Sequence, residues 1–328
     1  MPGSPADNLG MHRATTGLVI RLARWQVPGQ SIMRRVTLLL LLPLFCGGIL
    51  LAQRSRGRWG GSEFWLPENA PVRTAREVPT HSTEFPRWTN PPGFEKDVFT
   101  FVRVRYHRRP HGPWKAGYCF VDFPDSDLDL SYRLQQLTSI KVDPDARVLS
   151  LTEPELFDYP WLYMVEPGAL EFNEAEVQAL RKYLRNGGFL MADDFWGTPA
   201  WENFAREMKR VLPDREFVEL PMDHPIFQCV FPLGGSKNAL QVPNFMAGEY
   251  SQYNGGVTWE VHDREECRDV HFRALFDEKG RMMVIACHNT DNGDGWEREQ
   301  EFPYFFREFS EKRAYPLGIN IIFYAMTH

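Results

Sequence analysis

The sequence lacks the short motifs that most directly identify an enzyme. Its 328 residues contain no Gly-x-Ser-x-Gly elbow, no P-loop and no Gly-x-Gly-x-x-Gly after a predicted strand. Cysteine is scarce too, and no two of the five form a Cys-x-x-Cys pair. Four lie outside the N-terminal region and are either individually buried thiols or, if the chain is exported, disulfide partners in one of three pairings: Cys119, Cys229, Cys267 and Cys287. The sequence alone identifies no nucleophile.

Positive charge is scarce in most of the chain. Residues 1–60 contain eight Arg and one acid, Asp7, so the rest holds 29 basic against 42 acidic residues, a net charge of −13. An acidic body repels phosphate backbones, which argues against nucleic acid as a partner. Hydrophobic residues make up 43% of the chain and aromatic residues 14%, enough for a sizeable folded core.

The basic N-terminal region fits a targeting segment. Met33-Arg34-Arg35 precedes an almost entirely apolar run over residues 36–52, which is the order of a secretory signal peptide. The run is shorter than the roughly 20 residues of a spanning helix. We interpret residues 33–52 as a signal peptide cleaved after Ala52, an uncleaved membrane anchor or a buried helix, and residues 1–32 as a mis-called N-terminal extension. The first two interpretations predict an exported protein, periplasmic, otherwise extracytoplasmic or anchored in the inner membrane.

The remainder divides into an arm and a folded domain. Residues 53–97 are rich in Arg, Gly and Pro and show no periodicity, which is typical of a linker or extended arm. Residues 98–328 alternate short apolar runs with helical patterns, which predicts an α/β domain with a doubly wound, mostly parallel sheet. The predicted strands are 99–106, 118–123, 147–151, 161–165, 189–192, 257–261, 270–276 and 282–287. The predicted helices begin near Asp125, Asn173, Thr198, Tyr304 and Leu317.

Acidic residues and histidines follow several of these strands, where ligands bind in such sheets. The candidate pocket comprises Asp122, Glu166, Asp193, Asp194, His224, His288, Asn289 and Asp291. Side chains of this kind suit a divalent cation or general acid–base chemistry. Asp and Asn after strands also serve as turn formers and helix caps, and His224 before Pro225 also fits a residue that fixes a loop. Both interpretations remain open from the sequence.

Two details limit the chemistry. Asp291-Asn292-Gly293-Asp294-Gly295 is either a site where Asp291 and Asp294 bind a metal or a tight glycine-rich turn, since it lacks the ligand spacing of an EF-hand. Cys287 and His288 are adjacent on a predicted strand and therefore point to opposite faces, so they do not form a nucleophile–base pair. No organic cofactor is predicted.

Several stretches resemble the bacterial family called domain of unknown function 4159. They include Asp122-Phe123-Pro124-Asp125, residues 180–194 ending in Asp193-Asp194, Asp223-His224-Pro225 and residues 289–297. The resemblance covers roughly Phe99 to His328. The family is similar in fold to class I glutamine amidotransferase-like domains, which implies a flavodoxin-like sheet. Working amidotransferases have a nucleophilic Cys in the turn where this chain has Asp193-Asp194, so the resemblance implies no glutamine hydrolysis.

These observations favour an exported cell-envelope protein whose domain binds a ligand or partner without catalysis. The expected partners are a small polar ligand, a glycan or an envelope protein, and the membrane through residues 33–52 if that segment is uncleaved. The alternative is a metal-assisted hydrolase that uses the same carboxylates. A purely structural envelope component is the third interpretation.

Overall fold

The computed structural model describes residues 66–81, 86–93, 97–108, 118–260, 264–299 and 301–328. The predicted extension of residues 1–32, the signal or anchor of residues 33–52 and the first part of the arm lie outside the described residues. Within the described part of the chain, no helix combines the length and the apolar character needed to cross a membrane. The chain from residue 65 to His328 forms one compact unit.

A seven-stranded mixed sheet organises the domain, in the order β2-β1-β3-β4-β7-β6-β5. Its strands are β1 (Val102–Arg105), β2 (Arg147–Ser150), β3 (Trp161–Val165), β4 (Phe189–Phe195), β5 (Val218–Glu219), β6 (His271–Phe276) and β7 (Met282–His288). The first five strands in the spatial order are parallel, whereas β6 and β5 pair antiparallel at one side. The α/β class and the mostly parallel sheet are therefore confirmed.

In the described part of the chain, seven α-helical segments accompany the sheet: α1 (Asp125–Leu137), α2 (Glu174–Arg185), α3 (Gly197–Val211), α4 (Phe245–Tyr250), α5 (Asn292–Glu297), α6 (Pro303–Phe305) and α7 (Tyr315–Thr327). Every residue of β3, β4 and β7 is buried, as expected of strands covered on both faces. Asn173 and Glu176 form a capping box at the start of α2, in which they exchange side-chain and backbone hydrogen bonds. The π-helical segment Phe306–Ala314 joins α6 to α7, where two separate helices were predicted. It precedes Pro316, which has no backbone N–H to donate.

The predicted strand over residues 118–123 is wrong, and its correction matters for the site. Residues 118–123 form a series of turns that includes a cis Phe123–Pro124 peptide. The fully buried Arg103 guanidinium donates to the carbonyls of Cys119 (3.1 Å) and Val121 (3.0 Å), so these acceptors are satisfied without strand pairing. Residues 257–260 of another predicted strand are likewise irregular, and residues 261–263 lie outside the described residues.

The described residues of the arm pack on the domain. The Arg73 carbonyl accepts a hydrogen bond from Val148 N at 2.9 Å, and Trp88 Nε1 donates to the Val142 carbonyl at 2.7 Å. His81 reaches Asp125 at the start of α1, with Nδ1 2.9 Å from Oδ2. The four cysteines of the domain are free thiols.

Candidate functional site

Unusual backbone conformations concentrate where the strands end. Five non-glycine residues of the described chain have positive φ, and four of them lie in the 118–123 turns or at the ends of β3, β4 and β7: Asp122 (59°), Glu166 (46°), Asp194 (55°) and Asn289 (62°). Asp and Asn tolerate this left-handed region better than other side chains, whereas Glu166 adopts it at greater cost. Clustered strain of this kind is typical of functional sites.

Five buried carboxylates meet at this edge of the sheet, and we call them the acidic centre: Asp122, Asp194, Asp291, Asp294 and Glu297. They form two overlapping triads. One oxygen each of Asp122, Asp194 and Asp291 lies within 4.8 Å of the other two, and the same holds for Asp122, Asp294 and Glu297. Asp122 is therefore common to both triads.

The turns after β1 place Asp122 in the acidic centre. Arg103 fixes these turns, and it is itself held by Asp127, whose Oδ2 accepts from Nε at 3.0 Å. Gly293 faces Asp122 so closely that a Cβ there would lie 2.2 Å from Asp122 Oδ2. Only glycine allows this approach. Asp122 Oδ2 is buried and has no hydrogen-bond partner among the described residues, although a buried carboxylate oxygen ordinarily accepts one.

Backbone and indole N–H groups orient three other carboxylates. Trp196 Nε1 donates to Asp194 Oδ1 at 2.9 Å. Asp291 caps α5, since its Oδ1 accepts from Asp294 N at 2.8 Å, and Asp294 Oδ2 accepts from Phe245 N at 3.0 Å. Asp291 therefore both caps α5 and belongs to the acidic centre.

Burial is the main cause of the electrostatics of the centre. It raises the pKa of Asp122, Asp194, Asp291 and Glu297 well above the ordinary carboxyl range, and mutual repulsion adds to the shift. Burial together with the charge of Asp122 raises the pKa of Asp294 to about 7. Arg298 is the nearest compensating cation, with Nε 2.7 Å from Glu297 Oε2. Near neutral pH the centre therefore retains protons unless a cation replaces them.

Asp193 has a different environment from its neighbour Asp194. Its carboxylate accepts from Asn292 N (2.9 Å), Asn292 Nδ2 (2.8 Å), Gly293 N (3.2 Å) and the Tyr163 hydroxyl (3.2 Å). Burial raises the pKa of Asp193 to about 7 despite these donors. The contacts join β4 to the start of α5, so Asp193 positions the loop that carries Asp291.

His288 and Asn289 also form structural contacts. His288 Nε2 lies 3.0 Å from the Gly197 carbonyl, and Nδ1 lies 3.2 Å from Arg273 Nη1. Burial lowers the pKa of His288 to about 3, so the ring is neutral and Nε2 donates. Asn289 Oδ1 accepts from Gly197 N at 2.8 Å, and its Nδ2 donates to the carbonyls of Glu266 and Asp269. These two residues fix the backbone beside the centre.

Glu166 and His224 complete the predicted set. Half-buried Glu166 accepts from Tyr118 N at 2.9 Å, and its charge raises the pKa of Asp194. His224 is not brought to the site. It caps a 3₁₀ turn and contacts the rings of Phe276 and Tyr324. Phe276 pairs with Met282 at the start of β7, the opposite edge of the sheet from His288.

The predicted pocket omitted Glu297 and the His81–Asp125 pair. Asp294 and Glu297 are three residues apart, so they share one face of α5, and this spacing is a signal that the sequence contains. His81 lies in an arm without periodicity, and nothing in the sequence indicates that it contacts Asp125.

The family comparison confirms the resemblance seen in the sequence. A model of a domain of unknown function (DUF4159) matches residues 100–326. No curated protein matches the chain. Every member of the acidic centre lies inside the matched region.

Proposed function

This chain belongs to the DUF4159 family, and we propose that it is a non-catalytic binding domain that holds a divalent cation and presents it to a polar ligand. Asp122, Asp194 and Asp291 are the proposed cation ligands. The observation that carries this proposal is the approach of their three oxygens to within 4.8 Å, with Asp122 Oδ2 buried and unpaired. Glu166 stands beside them at the half-buried rim.

The spacing suits a single hard cation. Bonds of about 2.1 Å to Mg²⁺ place opposite oxygens about 4.2 Å apart, and bonds of about 2.5 Å to Ca²⁺ place them about 5 Å apart. The first triad spans at most 4.8 Å, so all three oxygens reach one cation. An all-oxygen donor set favours Mg²⁺, Ca²⁺ or Mn²⁺ over softer metals.

The repulsion among the three carboxylates of the first triad also supports a bound cation. Two unit charges 4.8 Å apart repel by about 3.5 kcal/mol at an effective dielectric of 20. Three ionised carboxylates would add three such repulsions to the penalty of burial. A divalent cation removes the repulsion and displaces the bound protons, so its affinity should increase with pH.

The surroundings of the centre favour binding over thiol chemistry. Cys287 is fully buried on β7 and burial raises its pKa well above the usual range, while the pKa of Cys119 rises to about 11. Asp194 has a positive φ near the end of β4, where the pairing with β7 shifts its register. We propose that it stands where an amidotransferase has its nucleophile. The parallel order β2-β1-β3-β4-β7 supports a flavodoxin-like, amidotransferase-like fold.

Metal-assisted hydrolysis is the second candidate. The observation that favours it is the position of Asp294, which has a carboxylate oxygen within 4.8 Å of one of Asp122, a proposed cation ligand. Its pKa of about 7 suits proton transfer near neutral pH. A screen of phosphate ester, peptide and glycoside substrates with the cation-loaded protein tests this candidate. Turnover that is lost in Asp294→Asn, with the cation still bound, would establish an enzyme and replace the non-catalytic proposal.

The cellular location is part of the proposal. The Arg-Arg pair followed by the apolar run of residues 36–52 supports export to the cell envelope. Fractionation of cells that express the tagged chain, with and without residues 33–52, tests it. Export only of the chain that retains residues 33–52 supports the proposal, whereas full-length protein in the cytoplasm contradicts it.

Cation binding is tested by isothermal titration of the purified chain with Mg²⁺, Ca²⁺ and Mn²⁺. We expect binding by the unaltered chain and a loss of at least tenfold in affinity in Asp194→Asn, which keeps the shape and removes the charge. Glu216→Gln is the matched control, because the Glu216 side chain is 82% exposed. Failure of all three cations to bind at millimolar concentration would refute the proposal.

A further inference from the structure

We propose that the acidic centre binds two divalent cations, with the carboxylate of Asp122 between them. Asp194 and Asp291 would complete the first site, and Asp294 and Glu297 the second. This inference rests on the proposed cation binding and extends it from one ion to a pair.

The shared position of Asp122 is the first argument. Its side chain contributes an oxygen to both triads. Asp122 is 9% exposed, and its buried Oδ2 has no hydrogen-bond partner. The close approach of Gly293 to this oxygen keeps the start of α5 against Asp122, which brings both halves of the centre to one carboxylate. A carboxylate between two cations is common where metals lie about 3.5–4 Å apart.

The second site has its own preorganised ligands. Asp294 and Glu297 lie on one face of α5 and are 6% and 5% exposed. Phe245 N fixes the Asp294 carboxylate through Oδ2. The three oxygens of this triad obey the same 4.8 Å limit as those of the first. They are therefore close enough for one Mn²⁺ or Ca²⁺ ion.

Among the described residues, the side-chain cations around the second triad do not balance its charge. Arg298 pairs with Glu297 and also covers the ring of Phe245 at 4.5 Å. His81 Nδ1 is 4.0 Å from Glu297 Oε1 but only 2.9 Å from Asp125 Oδ2. His81 therefore pairs mainly with Asp125 and not with Glu297. Arg298 compensates one carboxylate of the triad, that of Glu297. Asp122 and Asp294 are left for a bound cation, since buried charges are ordinarily paired or coordinate metals.

Mn²⁺ stoichiometry of the full chain tests this inference. Equilibrium dialysis at pH 8 followed by elemental analysis counts the bound ions, and electron paramagnetic resonance reports whether two Mn²⁺ ions are magnetically coupled. We expect two coupled ions in the unaltered chain. Glu297→Gln should retain one uncoupled ion at the first site, Asp194→Asn should retain one at the second, and Asp122→Asn should weaken both.

The outcomes separate the two proposals. One ion that is lost in Asp194→Asn and unaffected in Glu297→Gln would overturn the second site and leave the proposed function intact. No bound ion would overturn both proposals. Circular dichroism confirms that each variant is folded, and Glu216→Gln should bind two ions. If Glu297→Gln fails to fold, the number of ions in the unaltered chain and their coupling still decide the question.

Discussion

The buried carboxylates predict an unusual pH dependence of stability. Asp193 and Asp294 have folded-state pKa values of about 7, against 3.8 for an exposed aspartate. The folded protein therefore holds these protons more tightly than the unfolded chain does, and stability falls as pH rises from about 4 through about 7. Each such group lowers the free energy of unfolding by about 2 kcal/mol between pH 5.5 and pH 8.

Histidine partly opposes this trend. The pKa of His288 is about 3 in the folded protein against 6.5 when exposed, so protonation of the unfolded chain lowers stability by about 1.4 kcal/mol at pH 5.5 and hardly at all at pH 8. Together, Asp193, Asp294 and His288 lower the free energy of unfolding by about 2–3 kcal/mol between pH 5.5 and pH 8. For a domain of this size that corresponds to a fall in Tm of about 5–8 °C.

Thermal unfolding with EDTA and with Mn²⁺, at pH 5.5 and pH 8, measures the effect. The difference between the two solutions at each pH cancels the contribution of His288. A cation at 100 times its Kd adds about 2.7 kcal/mol, and this gain should be larger at pH 8, where fewer protons compete for the carboxylates. Asp194→Asn should abolish the part of the gain that the first site supplies, and Glu216→Gln should retain the whole gain. A Tm in EDTA that does not change between the two pH values, with no response to Mn²⁺, would refute the reasoning.

Three further substitutions distinguish structural from ligand-binding residues. Asp193→Ala should lower the free energy of unfolding by about 3 kcal/mol in urea denaturation, because it leaves the Tyr163 hydroxyl and the N–H groups of Asn292 unpaired; unchanged stability would contradict its assignment as an anchor. His288→Ala should lower stability by about 2 kcal/mol and leave Mn²⁺ stoichiometry unchanged, and a lost ion would instead make His288 part of the site. Arg103→Met should lower the free energy of unfolding by about 3–5 kcal/mol, because it leaves Asp127 charged and buried. Arg103→Met combined with Asp127→Leu should recover part of that loss. If the double variant is no more stable than the single one, the ion pair is not the cause of the loss.

The strands of the sheet other than β5 could be predicted from sequence because their signal is local. Residues 161–165 and 189–192 are continuous apolar runs, and both are strands in the structure, where β4 extends to Phe195. The extension carries the strand into Asp193 and Asp194, which looked like loop residues by composition alone. Burial at the end of a strand is set by the elements packed above it, here α5 and the 118–123 turns, and a single-strand pattern contains no information about them.

The acidic centre could be predicted only in part for the same reason. The rule that ligands bind at the carboxyl ends of strands brought Asp122, Asp194 and Asp291 together correctly. It also admitted His224, which follows β5. That strand runs parallel to β7, but the loop after it turns back along β6 and places His224 beside Phe276 at the opposite edge. The path of this loop was not visible in the sequence. The apolar character of residues 118–123 also led to a wrong prediction, that of a strand. The buried guanidinium of Arg103 donates to two of their carbonyls, so these carbonyls need no partner strand.

Asp193 and Asp194 show why residue type alone does not determine function. Both are buried aspartates at the end of one strand, and their side chains leave β4 in different directions. Asp193 meets four hydrogen-bond donors and is satisfied by the protein. Asp194 receives the indole N–H of Trp196 and otherwise faces the repulsion of Glu166, Glu260 and Asp122. A carboxylate that the fold supplies with donors stabilises the fold, whereas one that the fold surrounds with other carboxylates needs a cation or a proton. That difference, rather than the presence of acidic residues, is the reason for assigning cation binding to Asp194 and not to Asp193.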